Sequence, residues 1–252
     1  MAIPTISPDN NKYSFTGVSK IVMGRKVWRI KEKRNGILGG WIESESNLDI
    51  YGSGWVYENA VVCGGARLSG SARAYHRSII YGSAEVSGNA EVCDFAKVYG
   101  KARIYGNARI YGSGRVCGEA WVFESARVYA HALVYGKAEV CGNAEVSGGA
   151  EISGCVFLRD WVDVSGFVKV SDNAEVSGTA KIHGTAKIKD SAWIEGKAII
   201  SGNCVVGGFA AVYGEAQISG RARVYGNAEV HAGRYLSGEC GEGMHPVASF
   251  CV

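Results

Sequence analysis

The sequence predicts an all-β protein built as a triangular solenoid of stacked parallel strands, and three observations carry that reading. A six-residue unit recurs without insertion or deletion from about residue 54 to residue 231. Glycine is abundant, 36 of 252 residues, whereas proline numbers only three, which excludes collagen; 47% hydrophobic against 20% charged residues excludes a disordered chain. A period of six does not match the roughly 3.6 residues of a helical turn, but it is a multiple of the two-residue alternation of a strand.

Runs such as Gly88-Asn89-Ala90-Glu91-Val92-Cys93 and Gly226-Asn227-Ala228-Glu229-Val230-His231 show the unit plainly. Every number divisible by six from 54 to 228 holds a small or modest residue, mostly alanine, with Gly54, Ser78, Gly114, Val156, Val162, Val168 and Cys204 as the variants. Two places later stands an aliphatic residue, from Val86, Val92 and Val98 on to Val230, with Ala74 as the weak member. Residues two apart on a strand share a face, so each unit reads as a four-residue strand: small inward, variable outward, aliphatic inward, variable outward. The last two places, mostly glycine with asparagine, serine or lysine, form the corner, where positive φ is tolerated. A unit this short cannot bury its own apolar side. Stacking at about 4.8 Å does that, and three units close a coil of 18 residues, giving about ten coils.

The ends need caps, because a solenoid exposes strand edges. Residues 12–34 alternate like a β-hairpin, with Tyr13, Phe15, Val18, Ile21 and Met23, a turn at Gly24, then Val27, Trp28 and Ile30. The expected organisation is an N-terminal β-hairpin cap over 1–47, the solenoid over 48–232 and a tail over 233–252 that covers the other end or meets a neighbouring subunit. The cap carries eight basic residues against four acidic ones. The plain explanation is a solvated, edge-protecting charge run; the sharper one is an anionic partner docked there. The whole chain has net charge +3, too mild for a nucleic-acid partner. No apolar run is long enough to span a membrane, and residues 1–5 lack a secretory pattern, so a cytoplasmic location is expected, with a virion as the variant.

The spacing and small-aliphatic pattern, as in Val86 with Ala90 or Ile104 with Ala108, resembles the hexapeptide-repeat family of left-handed parallel β-helix proteins, with glycine one place later than is commonest there. The resemblance implies left-handedness. A subgroup encoded in phage and prophage genomes and described as transferases is similar in its N-terminal segment as well, matched here by Lys12, Tyr13, Phe15 and Gly39-Gly40-Trp41-Ile42. In the family's best-known members the resemblance implies prisms packed as a trimer. In those members it also implies an acyl- or acetyl-coenzyme A site between prisms, with a histidine base on or beside an extruded loop.

Residues 18 apart should sit above one another. One face then carries Val61, Cys63, Ile79, Tyr81, Lys97, Tyr99, Arg115, Cys117, Leu133 and Tyr135, and is unusually apolar. A second face brings tyrosines beside arginines, among them Tyr111 and Tyr129; a third has Trp121, Phe123, Phe157 and Trp193. Aromatic ladders can simply stabilise stacked strands, or pack three prisms side by side, or bind a carbohydrate or small ligand in an inter-subunit groove. Lys169, Lys187 and Lys189 break the alternation of charge and could hold an anion, although solvated lysines are the simpler explanation.

No two cysteines of the repeat are 18 apart, and neither a CxxC nor a zinc spacing occurs, so reduced thiols and no metal are expected; only Cys240 and Cys251 could pair. None of the histidines His76, His131, His183, His231 and His245 lies in an inserted loop. As a general base His131 is preferred, because Ala130-His131-Ala132 replaces the usual corner and Tyr129 adjoins it. The expectation is a non-catalytic structural or interaction protein of phage type, trimeric, without a cofactor and with a host or phage protein as partner. Its alternatives are a coenzyme A-dependent acyltransferase and a factor that sequesters a host signalling molecule or protein.

Overall fold

The computed structural model describes residues 3–241, which form two compact units, one running to Glu124 and the other starting at Ser125. The first unit opens with a hairpin of β1 (Tyr13–Val22) and β2 (Arg25–Glu32). Met23 and Gly24, with φ of 52° and 75°, make the two-residue turn, whose left-handed backbone matches the strand twist. β3 (Leu38–Ile42) pairs antiparallel with β2 on one edge and parallel with Val61–Val62 on the other, so it hands the hairpin over to the solenoid. The fully buried Tyr13 donates its hydroxyl to the Glu45 carbonyl at 3.2 Å, and Lys12 Nζ reaches the carbonyls of Asp49 and Gly52 at 2.8 and 2.7 Å. A single 3-10 turn, Glu45–Asn47, follows; the Asn47 amide donates to the carbonyls of Gly64 and Ala66 and ties the cap to the first coil.

From there each coil is three short strands, and partners stand 18 residues apart: Trp55 beside Arg73, Glu85 beside Arg103, Glu91 beside Arg109. The second unit repeats this pattern, with Glu145 beside Asp163 and Lys187 beside Val205. At its end the spacing contracts, with Arg234 over Gln217 and Glu239 over Arg223. The tail thus adds two strands as far as Cys240, and residues 242–252 lie outside the described set. Among the described residues no helix is long and apolar enough to cross a membrane.

The interior is as the period requires. Alanines such as Ala90 and Ala144 and aliphatics such as Val92 and Val146 are fully buried, and Gly54, Gly114 and Val156 are buried too. One expectation needs correction. The regular strands are two residues long, not four, as in Glu85–Val86. The reason is the corner: the residue two places after the aliphatic one takes left-handed φ, 67° at Gly88 and 70° at Gly106, and bends the chain out of the ladder at once. That corner is also crowded. A Cβ on Gly142 would stand 2.6 Å from the Asp160 backbone nitrogen, so glycine there answers both a conformational and a steric demand.

Ser78 is an exception inside. Its hydroxyl is fully buried in an alanine position, without a hydrogen-bond partner. Ser78→Ala should therefore raise stability by about 1 kcal/mol, read as a higher urea midpoint with unchanged slope.

Candidate functional site

The apolar row of the first unit begins as core, not as surface. Sequence periodicity places Val61 and Cys63 outward, yet both are buried in a cluster with Val27 of β2 and Trp41 of β3, against which Val22, Ile79 and Tyr81 pack. The hairpin lies over the start of the row, which is why those outward positions are apolar. Beyond it the row opens. Tyr81 and Tyr99 stack with ring centroids 4.9 Å apart and planes 8° apart, and Lys97 stands between Ile79 and Arg115 in the ladder. A hydrogen bond with Cys117, together with burial, pushes the Tyr99 hydroxyl up to about 12. Tyr111 is half-buried on a different sheet, two places after Arg109, whose guanidinium pairs with Glu91 at 2.7 Å.

Leu133, Tyr135, Tyr129 and His131 belong to the second unit. Leu133 pairs with Glu151 in the ladder, Tyr135 is exposed, and the Tyr129 hydroxyl donates to Glu145, which also receives Arg127 at 2.7 Å. His131 is an exposed corner residue: its backbone N–H donates to Gly148, while its ring makes no hydrogen bond among the described residues.

The histidine that is held is His76, which the sequence reading set aside. Its Nδ1 stands 2.8 Å from Asp94 Oδ1, its backbone N–H donates to Glu58 Oε2 at 3.1 Å, and Asp94 Oδ2 accepts the Gly112 N–H at 2.9 Å. Glu58, His76 and Asp94 stack at one corner of three successive coils, all with left-handed φ of 51–59°. Each such residue costs on the order of 1 kcal/mol relative to glycine. With Arg77, whose guanidinium lies 5.8 Å from the Phe95 ring centre, they line a cleft of about 330 Å³. In the tautomer that donates Nδ1–H to Asp94, Nε2 is an acceptor, the arrangement a general base needs. The signal was present in the 18-residue column 58, 76, 94.

Asp94 also represents a wider device. A corner N–H points away from the ladder, and a carboxylate one coil earlier receives it: Asp160 for Gly178, Asp172 for Asp190, Asp190 for Gly208. Lys169 pairs with Glu151 at 2.9 Å and Lys189 with Asp190 at 3.0 Å, so two of the three lysines proposed to hold an anion are already engaged. Most of the cap's cations are similarly occupied. Arg25 pairs with Glu43, Lys33 donates to the Asn10 carbonyl, Lys20 and Arg29 lie over Trp41, and Lys26 lies over Trp28. Among the described residues no two cysteines form a disulfide and no group of residues could hold a metal. Burial pushes the Cys93 thiol up and the Cys204 thiol up to about 11. Cys251 and His245 lie outside the described residues.

Parallel strands paired 18 residues apart in each unit define a β-solenoid repeat protein. The family model described as YdcK beta solenoid repeat matches residues 102–118 and 216–232, one segment in each unit. No curated protein matches the chain.

The Gly208 N–H, then Lys189, hold the Asp190 carboxyl below its usual value. A lowered folded-state value means that the charge contributes stability at neutral pH and loses it as pH falls through that value. Asp190→Asn keeps the left-handed backbone and an acceptor but removes the charge. Its urea midpoint should lie below that of the wild type at pH 7 and converge with it in strong acid.

Proposed function

We propose that the protein is a non-catalytic interaction scaffold that assembles as a homotrimer through the open part of the first unit's aromatic row, with Tyr99, Lys97 and Arg115 at the contact. The observation that carries this reading is the Tyr81–Tyr99 stack, continuous with the buried cluster under the hairpin and flanked by two cations. Tyrosine and arginine supply much of the binding energy at interfaces, and a preformed stack loses little entropy on docking. The row that fails to close over itself at Tyr99 is completed by a neighbour. Leu133 and Tyr135 offer a similar surface in the second unit. A phage-type origin, a cytoplasmic setting and a host or phage protein as further partner belong to the same reading, and rest on the resemblance of the repeat and the Gly39-Gly40-Trp41 segment.

A coenzyme A-dependent acyltransferase is the second reading, favoured by one observation, the His76–Asp94 pair. The cleft around it fits the coenzyme poorly. It offers one cation, Arg77, for the phosphates and sets two carboxylates, Glu58 and Asp94, against them. The scaffold reading is therefore preferred.

Light scattering after size exclusion should give three times the 26.7 kDa chain mass, falling to a single chain in Tyr99→Ser/Arg115→Ala. A wild-type monomer removes the assembly. Calorimetry with acetyl-coenzyme A should give no saturable heat; saturable heat abolished by His76→Ala would favour the enzyme instead.

A further inference from the structure

The second unit carries a different surface, one that the assembly reading does not use. We propose that it binds an extended, uncharged, β-linked polysaccharide chain along the face that bears Phe157 and Trp193.

Four aromatic rings stand exposed there, Phe157 at 44%, Trp193 at 43%, Trp161 at 66% and Phe209 at 71%. Phe157 and Trp193 occupy the same outward column, with Glu175 on the rung between them. Trp161 sits at the corner after the Phe157 strand, and Phe209 at the corner before the strand that pairs with Trp193. The four rings thus form a diagonal strip across one flat face. In the first unit Trp121, on an equivalent rung, lies under Arg103 and edge-on to Tyr105. Among the described residues Phe157 and Trp193 have no such ring or cation partner. Their exposed faces are therefore available to a ligand.

The spacing and the charge select its chemistry. Two rungs separate Phe157 from Trp193 by about 9.6 Å, close to the length of two sugar rings in an extended β-linked chain. The rung between them is filled by the Arg159–Glu175 ion pair, a polar edge suited to hydroxyl groups. Glu139 and Glu195, on the same face, carry no ion pair among the described residues, and their carboxylates repel phosphate while accepting hydrogen bonds from hydroxyls. A nucleic acid or anionic lipid is disfavoured by that charge. A protein partner would want contiguous apolar surface, whereas these rings alternate with charged rungs. A sugar ring offers an apolar C–H face to an aromatic and hydroxyls to its flanks.

Native electrophoresis of the full chain through gels containing hydroxyethyl cellulose, a soluble β-1,4-glucan, tests this directly. The wild type should be retarded relative to plain gel, and a dextran gel should have no such effect. Phe157→Ala/Trp193→Ala should abolish the retardation and Trp193→Ala alone should weaken affinity about tenfold or more. Trp193→Tyr should retain it. An unretarded wild type, equal retardation in dextran, or full retardation of Trp193→Ala would overturn the proposal.

Discussion

The structure depends on one constraint: no six-residue unit can bury its apolar side alone, so each coil must lie in register on the next. In-register stacking at a spacing of 18 does three things at once. It sends alternate side chains into a dry interior, as with Ala144 and Val146. It pairs the backbone of each strand with the same strand one coil on, as Arg127 N–H does with the Ala144 carbonyl. It also brings corner over corner so closely that a left-handed residue is required there, most often glycine and otherwise a residue such as Asp94, Glu58 or His76. Lengthening any coil by one residue would turn its inward side chains outward. The interior therefore tolerates composition changes, such as valine for alanine at Val156, Val162 and Val168, but no change in length.

Because the interior uses only two positions of each six, the outward positions are free to form columns. Several are filled by opposite charges on successive coils, Arg103 with Glu85, Lys101 with Glu119, Lys197 with Glu215. Exposed pairs of this kind contribute little each, and their value is in keeping the columns soluble and the register unambiguous. Departures from alternation are then informative. The tyrosine stack of the first unit, the acid–histidine–acid corner and the aromatic strip of the second unit are three places where the columns do not balance themselves.

Much of this was legible in the sequence. The period of six, the inward alanines and valines, the 18-residue coil and the N-terminal hairpin all follow from the spacing of residue types. The strand length did not, because it is set by where φ turns positive rather than by which residues alternate. The burial of Val61 and Cys63 was hidden because the covering hairpin comes from a distant stretch of sequence. His76 does not stand out locally as His131 does, because its carboxylate partner Asp94 lies one full coil away in the sequence. The partner of Lys169 and the carboxylates that receive corner N–H groups likewise stand 18 residues away along the chain. A repeat of this kind must be read in columns of 18 before its surface makes sense.

The most direct test contrasts two adjacent residues of the second unit. Ala186 points into the interior and is fully buried, whereas Lys187 points out, next to Lys169. Ala186→Asp places an unpaired charge in a dry core and should cost about 3 kcal/mol or more in urea unfolding, while Lys187→Asp, which relieves a like-charge neighbour, should change stability by less than about 0.5 kcal/mol. Equal costs, or a larger cost for Lys187→Asp, would contradict the register on which every other assignment rests.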